Sequence, residues 1–125
     1  MKTFAGIVKK GSGQAGKLFD LPTANIAIDD FPPDIAPGVY VSRATMQGQT
    51  YPAITFIGQA HLLPGKPWRL ETHLFGASGD FTGEQLSVQL VHHQRPAIAF
   101  TSAEQANDVI QQDVIDAQTY FKTNP

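Results

Sequence analysis

The sequence predicts an all-β fold, an antiparallel barrel or sandwich, with one helix at the C-terminal end. Three observations predict it. Short segments that alternate with period two recur between residues 3 and 93, with turn residues between them. No helix-period segment lies among them, so the crossovers of a parallel sheet are missing. After residue 100 the apolar period becomes helical. A length of 125 residues fits one domain, expected over residues 1–125.

Residues 3–9 (TFAGIVK) open the series with β-branched and aromatic side chains. Residues 24–28 (ANIAI) alternate and predict the second strand. Residues 38–46 (GVYVSRATM) and 51–58 (YPAITFIG) predict the third and fourth, split by a polar turn around Gly48. Residues 68–75 (WRLETHLF) place Trp68, Leu70, Thr72 and Leu74 on one face and Arg69, Glu71, His73 and Phe75 on the other. Residues 85–93 (QLSVQLVHH) put Leu86, Val88 and Leu90 on one face. Closure would remove the exposed edges of such a sheet. Thr101-x-x-Glu104 and Ser102-x-x-Gln105 are both capping boxes. Ala106, Val109, Ile110, Ala117, Tyr120 and Phe121 then predict one amphipathic helix of about 20 residues packed on the sheet. Residues 10–23, 29–37, 59–67 and 76–84 are long Gly/Pro-containing connections, either variable surface or the place where binding groups gather.

Composition narrows the function classes. The absence of cysteine excludes disulfides, thiolate zinc sites and a cysteine nucleophile, and fits a reducing, cytoplasmic compartment. Hydrophobic residues at 42% and charged residues at 16% describe a globular chain. Apolar runs fall far short of the roughly 20 residues of a membrane span. Lys9 and Lys10 interrupt the position where a signal peptide needs its apolar stretch, so secretion is not expected. The net charge of −2 hides an asymmetry: residues 1–19 hold Lys2, Lys9, Lys10 and Lys17 and no acid. A nucleic-acid or membrane surface over the whole protein is not expected. The lysines form either a local anion site or a solvated face.

Gly11-Ser12-Gly13-Gln14-Ala15-Gly16 matches G-x-G-x-x-G, but Pro22 follows too soon for the helix of a dinucleotide fold. What remains is a backbone that can approach a ligand and aim N–H groups at it, with Lys17 adding positive charge. This suits a polyphosphate; the alternative is a hairpin tip. In Pro22-Thr23-Ala24-Asn25, Thr23 and Asn25 lie two positions apart and so share a face of an extended chain. A hydroxyl and a carboxamide are hard oxygen donors that suit magnesium beside phosphates; the alternative is ordinary turn hydrogen bonding. Glu71, within a strand and flanked on its face by Arg69 and His73, is either a solvated outer residue or a general base. His92 and His93 point to opposite faces and cannot chelate one metal together. Trp68, Phe75 and Phe81 are core residues or a stacking surface for a planar ring.

The order of these motifs resembles riboflavin kinase, over about residues 4–121. The Gly-rich loop with Gly16-Lys17 comes first. Pro22-Thr23-Ala24-Asn25, Gly38-Val39-Tyr40, Glu71-Thr72-His73, Phe81-Thr82-Gly83 and Arg95-Pro96 follow. Pro22-Thr23-Ala24-Asn25 is the most specific piece. The resemblance implies a small six-stranded antiparallel closed Greek-key barrel with one C-terminal helix. It implies transfer of the ATP γ-phosphate to the 5′-hydroxyl of riboflavin, with magnesium. Gly11, Gly13, Gly16 and Lys17 would form the loop over the ATP phosphates. Thr23 and Asn25 would hold magnesium and phosphate oxygens. Glu71 would take the proton of the ribityl hydroxyl. Phe81 and Arg95 would lie beside the flavin. The partners implied are riboflavin and ATP, with no nucleic acid and no membrane, and the chain is expected to be a monomer. The length leaves no room for an adenylyltransferase segment. Asp20, Lys17 and Thr82 stand where the family usually has glycine, arginine and tyrosine. These departures support an alternative, a non-catalytic flavin- or nucleotide-binding barrel.

Overall fold

Period-two alternation gives every strand an inward and an outward face. The computed structural model describes residues 3–9, 23–28, 35–59, 68–77, 81–96 and 102–124. They form β1 (Thr3–Ile7), β2 (Thr23–Ile28), β3 (Gly38–Met46), β4 (Gln49–Gln59), β5 (Trp68–Leu74), β6 (Gln85–Pro96) and α1 (Ala103–Thr123). The strands make one antiparallel sheet in the order β1-β6-β3-β4-β5-β2. Strand β3 has the expected bounds. Strand β1 stops two residues early, and β6 runs three residues further than its alternation suggested, to Pro96. Two register shifts between β3 and β6 explain that extension, because extra residues on β6 break the period.

The inward faces meet in one apolar cluster that includes Ile26, Tyr40, Ile57, Leu70, Leu74 and Leu90. Within this layer the buried hydroxyls of Ser42 and Thr55 lie 2.7 Å apart, and those of Thr55 and Thr72 lie 2.9 Å apart. They satisfy one another across β3, β4 and β5, as buried polar groups must. The outward faces of β3 and β4 bear a second apolar cluster, where Val39, Val41 and Ile54 meet Ala117 of α1. Of the two expected capping boxes, Ser102 supplies the cap, accepting a hydrogen bond from the Gln105 N–H at 3.1 Å.

The ends of the sheet come close to one another. A Cβ on Gly6 of β1 would stand 2.7 Å from Cγ2 of Ile26 in β2, so this approach requires glycine. Among the described residues no ladder joins β1 to β2. The described residues thus form an antiparallel sheet curled into a half-barrel with one C-terminal helix.

Gly38 opens β3 in a conformation that side chains rarely adopt, with φ of 145°. A Cβ there would lie 2.2 Å from the Arg95 carbonyl oxygen and 2.8 Å from His93 Nε2. Strain and overpacking together predict that Gly38→Ala costs roughly 3 kcal/mol or more. A thermal unfolding midpoint equal to that of the parent protein would contradict this close approach.

Candidate active site

The site is built by the pairing of two strands distant in sequence. In the β2–β5 ladder Asn25 stands opposite Glu71 and Thr23 opposite His73. Directly opposed residues of an antiparallel pair share a face. Positions 23 and 25 therefore lie on the face of β5 that bears Glu71 and His73. On the other flank of β5, Phe56 of β4 stands opposite Glu71 and Ile54 opposite His73. This is the outward face, since Thr72, between the two, points into the core.

Glu71 and His73 differ sharply in solvent access. The Glu71 side chain is 27% exposed and that of His73 only 1%. His73 Nε2 lies 3.4 Å from Glu71 Oε1, just beyond the usual span of an N–H···O bond. The imidazole also meets the Phe56 ring edge to face, with centroids 5.5 Å apart. Burial disfavours the imidazolium and lowers the His73 pKa from 6.5 to about 4. At neutral pH the ring is uncharged.

This shift makes a stability prediction. The unfolded chain takes up a proton at His73 below about 6.5, whereas the folded chain does so only near 4. Acid therefore favours unfolding across this window, by roughly 3 kcal/mol at its lower end, where the loss saturates. Denaturant unfolding of His73→Gln between pH 7 and pH 4 should show a shallower decline than the parent protein. Equal slopes would contradict a buried neutral imidazole.

The remaining expected residues fall in different places. Gly11, Gly13, Gly16 and Lys17 lie outside the described residues, and Thr23 and Asn25 are described by backbone register. Phe81 was expected beside a flavin, yet it is 8% exposed and packs in the inner cluster. Phe75 belongs to the outer cluster, so Phe75 and Phe81 do not form one stacking surface. The turn that follows Phe81 is tied to the end of β1: Gly83 N–H donates to the Val8 carbonyl and Val8 N–H to the Glu84 carbonyl, both at 2.9 Å. This turn thus sits where the chain leaves toward the glycine-rich segment.

Arg95, also expected beside the flavin, grips the C-terminal helix. Its Nε donates to Asp113 Oδ1 at 2.7 Å and its Nη2 to Oδ2 at 2.6 Å. Gln94 Nε2 adds a bond to the Asp113 backbone carbonyl at 3.0 Å. Asp113 is buried within the apolar stripe of α1, between Val109 and Ala117. Sequence reasoning passed over it, although an acid at a stripe position is itself a signal of a buried partner. His92 stacks on Tyr120 and His93 on Tyr40, on opposite faces of β6 as expected.

In layout this is a small β domain in which a strand carboxylate stands opposite Asn25, with Thr23 two positions along the same strand. The comparison with known proteins is more specific: residues 2–121 match the flavokinase family model, described as riboflavin kinase, and the chain belongs to the riboflavin kinase family. It is 32% identical to human riboflavin kinase over 118 residues, covering 90% of this chain and 76% of that one. It is 29% identical to the trifunctional protein RibF/MnmA of Mycoplasmoides gallisepticum over 110 residues, covering 88% of this chain and only 17% of that protein. A crystal structure described as a macrolide-efflux protein from Streptococcus pneumoniae matches with a TM-score of 0.75 and 28% identity, covering 93% of this chain and 38% of that one. Among the described residues no helix is long and apolar enough to cross a membrane.

Proposed function

We propose that this chain transfers the γ-phosphate of ATP to the 5′-hydroxyl of riboflavin, giving FMN and ADP. The observation that carries the proposal is the β2–β5 register, which brings Asn25 opposite Glu71 and Thr23 opposite His73. Family membership supplies the substrates. Glu71 accepts the hydroxyl proton as the oxygen attacks the γ-phosphorus, and the bond to the β,γ-bridging oxygen breaks. Its partial exposure leaves it open to a substrate, as a base must be.

Thr23 and Asn25 would hold magnesium. A hydroxyl and a carboxamide are hard oxygen donors, and a carboxylate stands across the ladder from them. Magnesium bound there would neutralise charge on the phosphates. Gly11, Gly13, Gly16 and Lys17 cradle the ATP phosphates in this reading, through backbone N–H groups and one ammonium. Phe81 serves the flavin side by anchoring the turn at Thr82 and Gly83, and Arg95 does so by fixing α1. The approach of Gly6 to Ile26 supports a sheet that closes into a six-stranded Greek-key barrel. One domain over residues 1–125, acting as a cytoplasmic monomer, completes the proposal.

Incubation with riboflavin, ATP and magnesium, followed by chromatographic separation of the flavins, is expected to yield FMN. Riboflavin bound and recovered unchanged would be the signature of a non-catalytic binder and would overturn the proposal.

A further inference from the structure

We infer that His73 is a positioning residue for Glu71, directing its Nε2–H at Oε1 and so fixing the carboxylate that meets the substrate hydroxyl. The inference rests on Glu71 being the base. Three observations support it. His73 Nε2 and Glu71 Oε1 are 3.4 Å apart, and such contacts tighten when substrate assembles the site. A carboxylate in that place selects the tautomer with its proton on Nε2. The ring has little freedom to turn away, because it is almost wholly buried and lies edge to face against Phe56.

Phe56 has a second part. It stands opposite Glu71 in the β4–β5 ladder while its ring contacts His73. The carboxylate is thus bordered along its own strand by the imidazole and across the ladder by the aromatic residue. Rotation of the long glutamate side chain is limited on these two sides, and position 25 of β2 stands across the other ladder. An arginine or lysine in place of His73 would restrain the carboxylate equally but weaken it as a base. A buried imidazole restrains it with a neutral donor.

Steady-state kinetics on four variants test the inference. Glu71→Gln comes first and reports on the base itself. His73→Leu removes the donor and keeps an apolar filling; kcat is expected to fall roughly 10²-fold through misplacement of the base. KM for riboflavin and for ATP should change by less than about twofold, since the loss lies in the transition state. His73→Gln places an amide N–H near the position of Nε2 and should recover kcat to within about tenfold of the parent. His73→Asn is too short to reach Oε1 and should remain as slow as His73→Leu. It serves as the donor-less comparison if the leucine variant does not fold by circular dichroism.

The decisive readout is the double variant. With Glu71→Gln in place, losing the His73 donor should change residual turnover by less than about twofold, because residues acting as a unit are non-additive. The same fold-loss in both backgrounds, or equal rates for His73→Gln and His73→Asn, would overturn the inference. Full turnover by Glu71→Gln alone would instead overturn the assignment of the base, and is seen before His73 is touched.

Discussion

Arg95→Met is expected to lower the unfolding free energy by about 3–5 kcal/mol, the cost of leaving a buried carboxylate without its partner. For a domain of this size the thermal midpoint should drop by roughly 10–15 °C. The reason is the depth of Asp113, which is 3% exposed on the face of α1 that meets the sheet. Both guanidinium bonds to it are short and parallel, a bidentate fork that lysine cannot reproduce. The companion variant makes the test specific. Arg95→Met with Asp113→Leu replaces the pair by apolar groups and should regain most of the loss, since the cost lies in the orphaned charge. Measured without ligands, a midpoint for Arg95→Met within a degree or two of the parent would mean that the pair does not hold the helix.

Glu71→Gln is expected to reduce turnover by about 10²-fold or more, as removal of a general base does. The amide preserves size and can still contact His73, so the fold and substrate affinities should persist. A loss in kcat with KM nearly unchanged identifies an interaction made in the transition state. Near-normal kcat would remove Glu71 from the chemistry and leave phosphoryl transfer to positioning and charge alone.

The strands were legible because one face of each is buried. Leu70, Thr72 and Leu74 alternate with Glu71 and His73, and burial follows that alternation. The end of β6 was not legible, since bulges at its pairing with β3 put His92 to Arg95 out of period. The helix was announced by its caps and stripe, but the sequence offered two caps and the structure uses Ser102. Of the site, Glu71 with His73 on its face followed from alternation alone. Their placement opposite Asn25 and Thr23 did not, because pairing between β2 and β5 depends on the whole sheet rather than on local spacing. Phe81 stands beside a turn, and local spacing does not say whether its ring faces outward or, as here, into the inner cluster. The pairing of Arg95 with Asp113 was not legible either, since the two are 18 positions apart and meet only when α1 packs on the sheet.

Glu71 and the strand opposite it are proposed to make a phosphotransferase site for riboflavin. The most direct measurement supplies ATP labelled at the γ-phosphate together with riboflavin and magnesium, and follows the label. For such a site, label is expected in FMN, with one ADP formed for each FMN, and almost none in FMN with Glu71→Gln. Label released as inorganic phosphate with riboflavin intact, or equal labelling of FMN by both proteins, would contradict it.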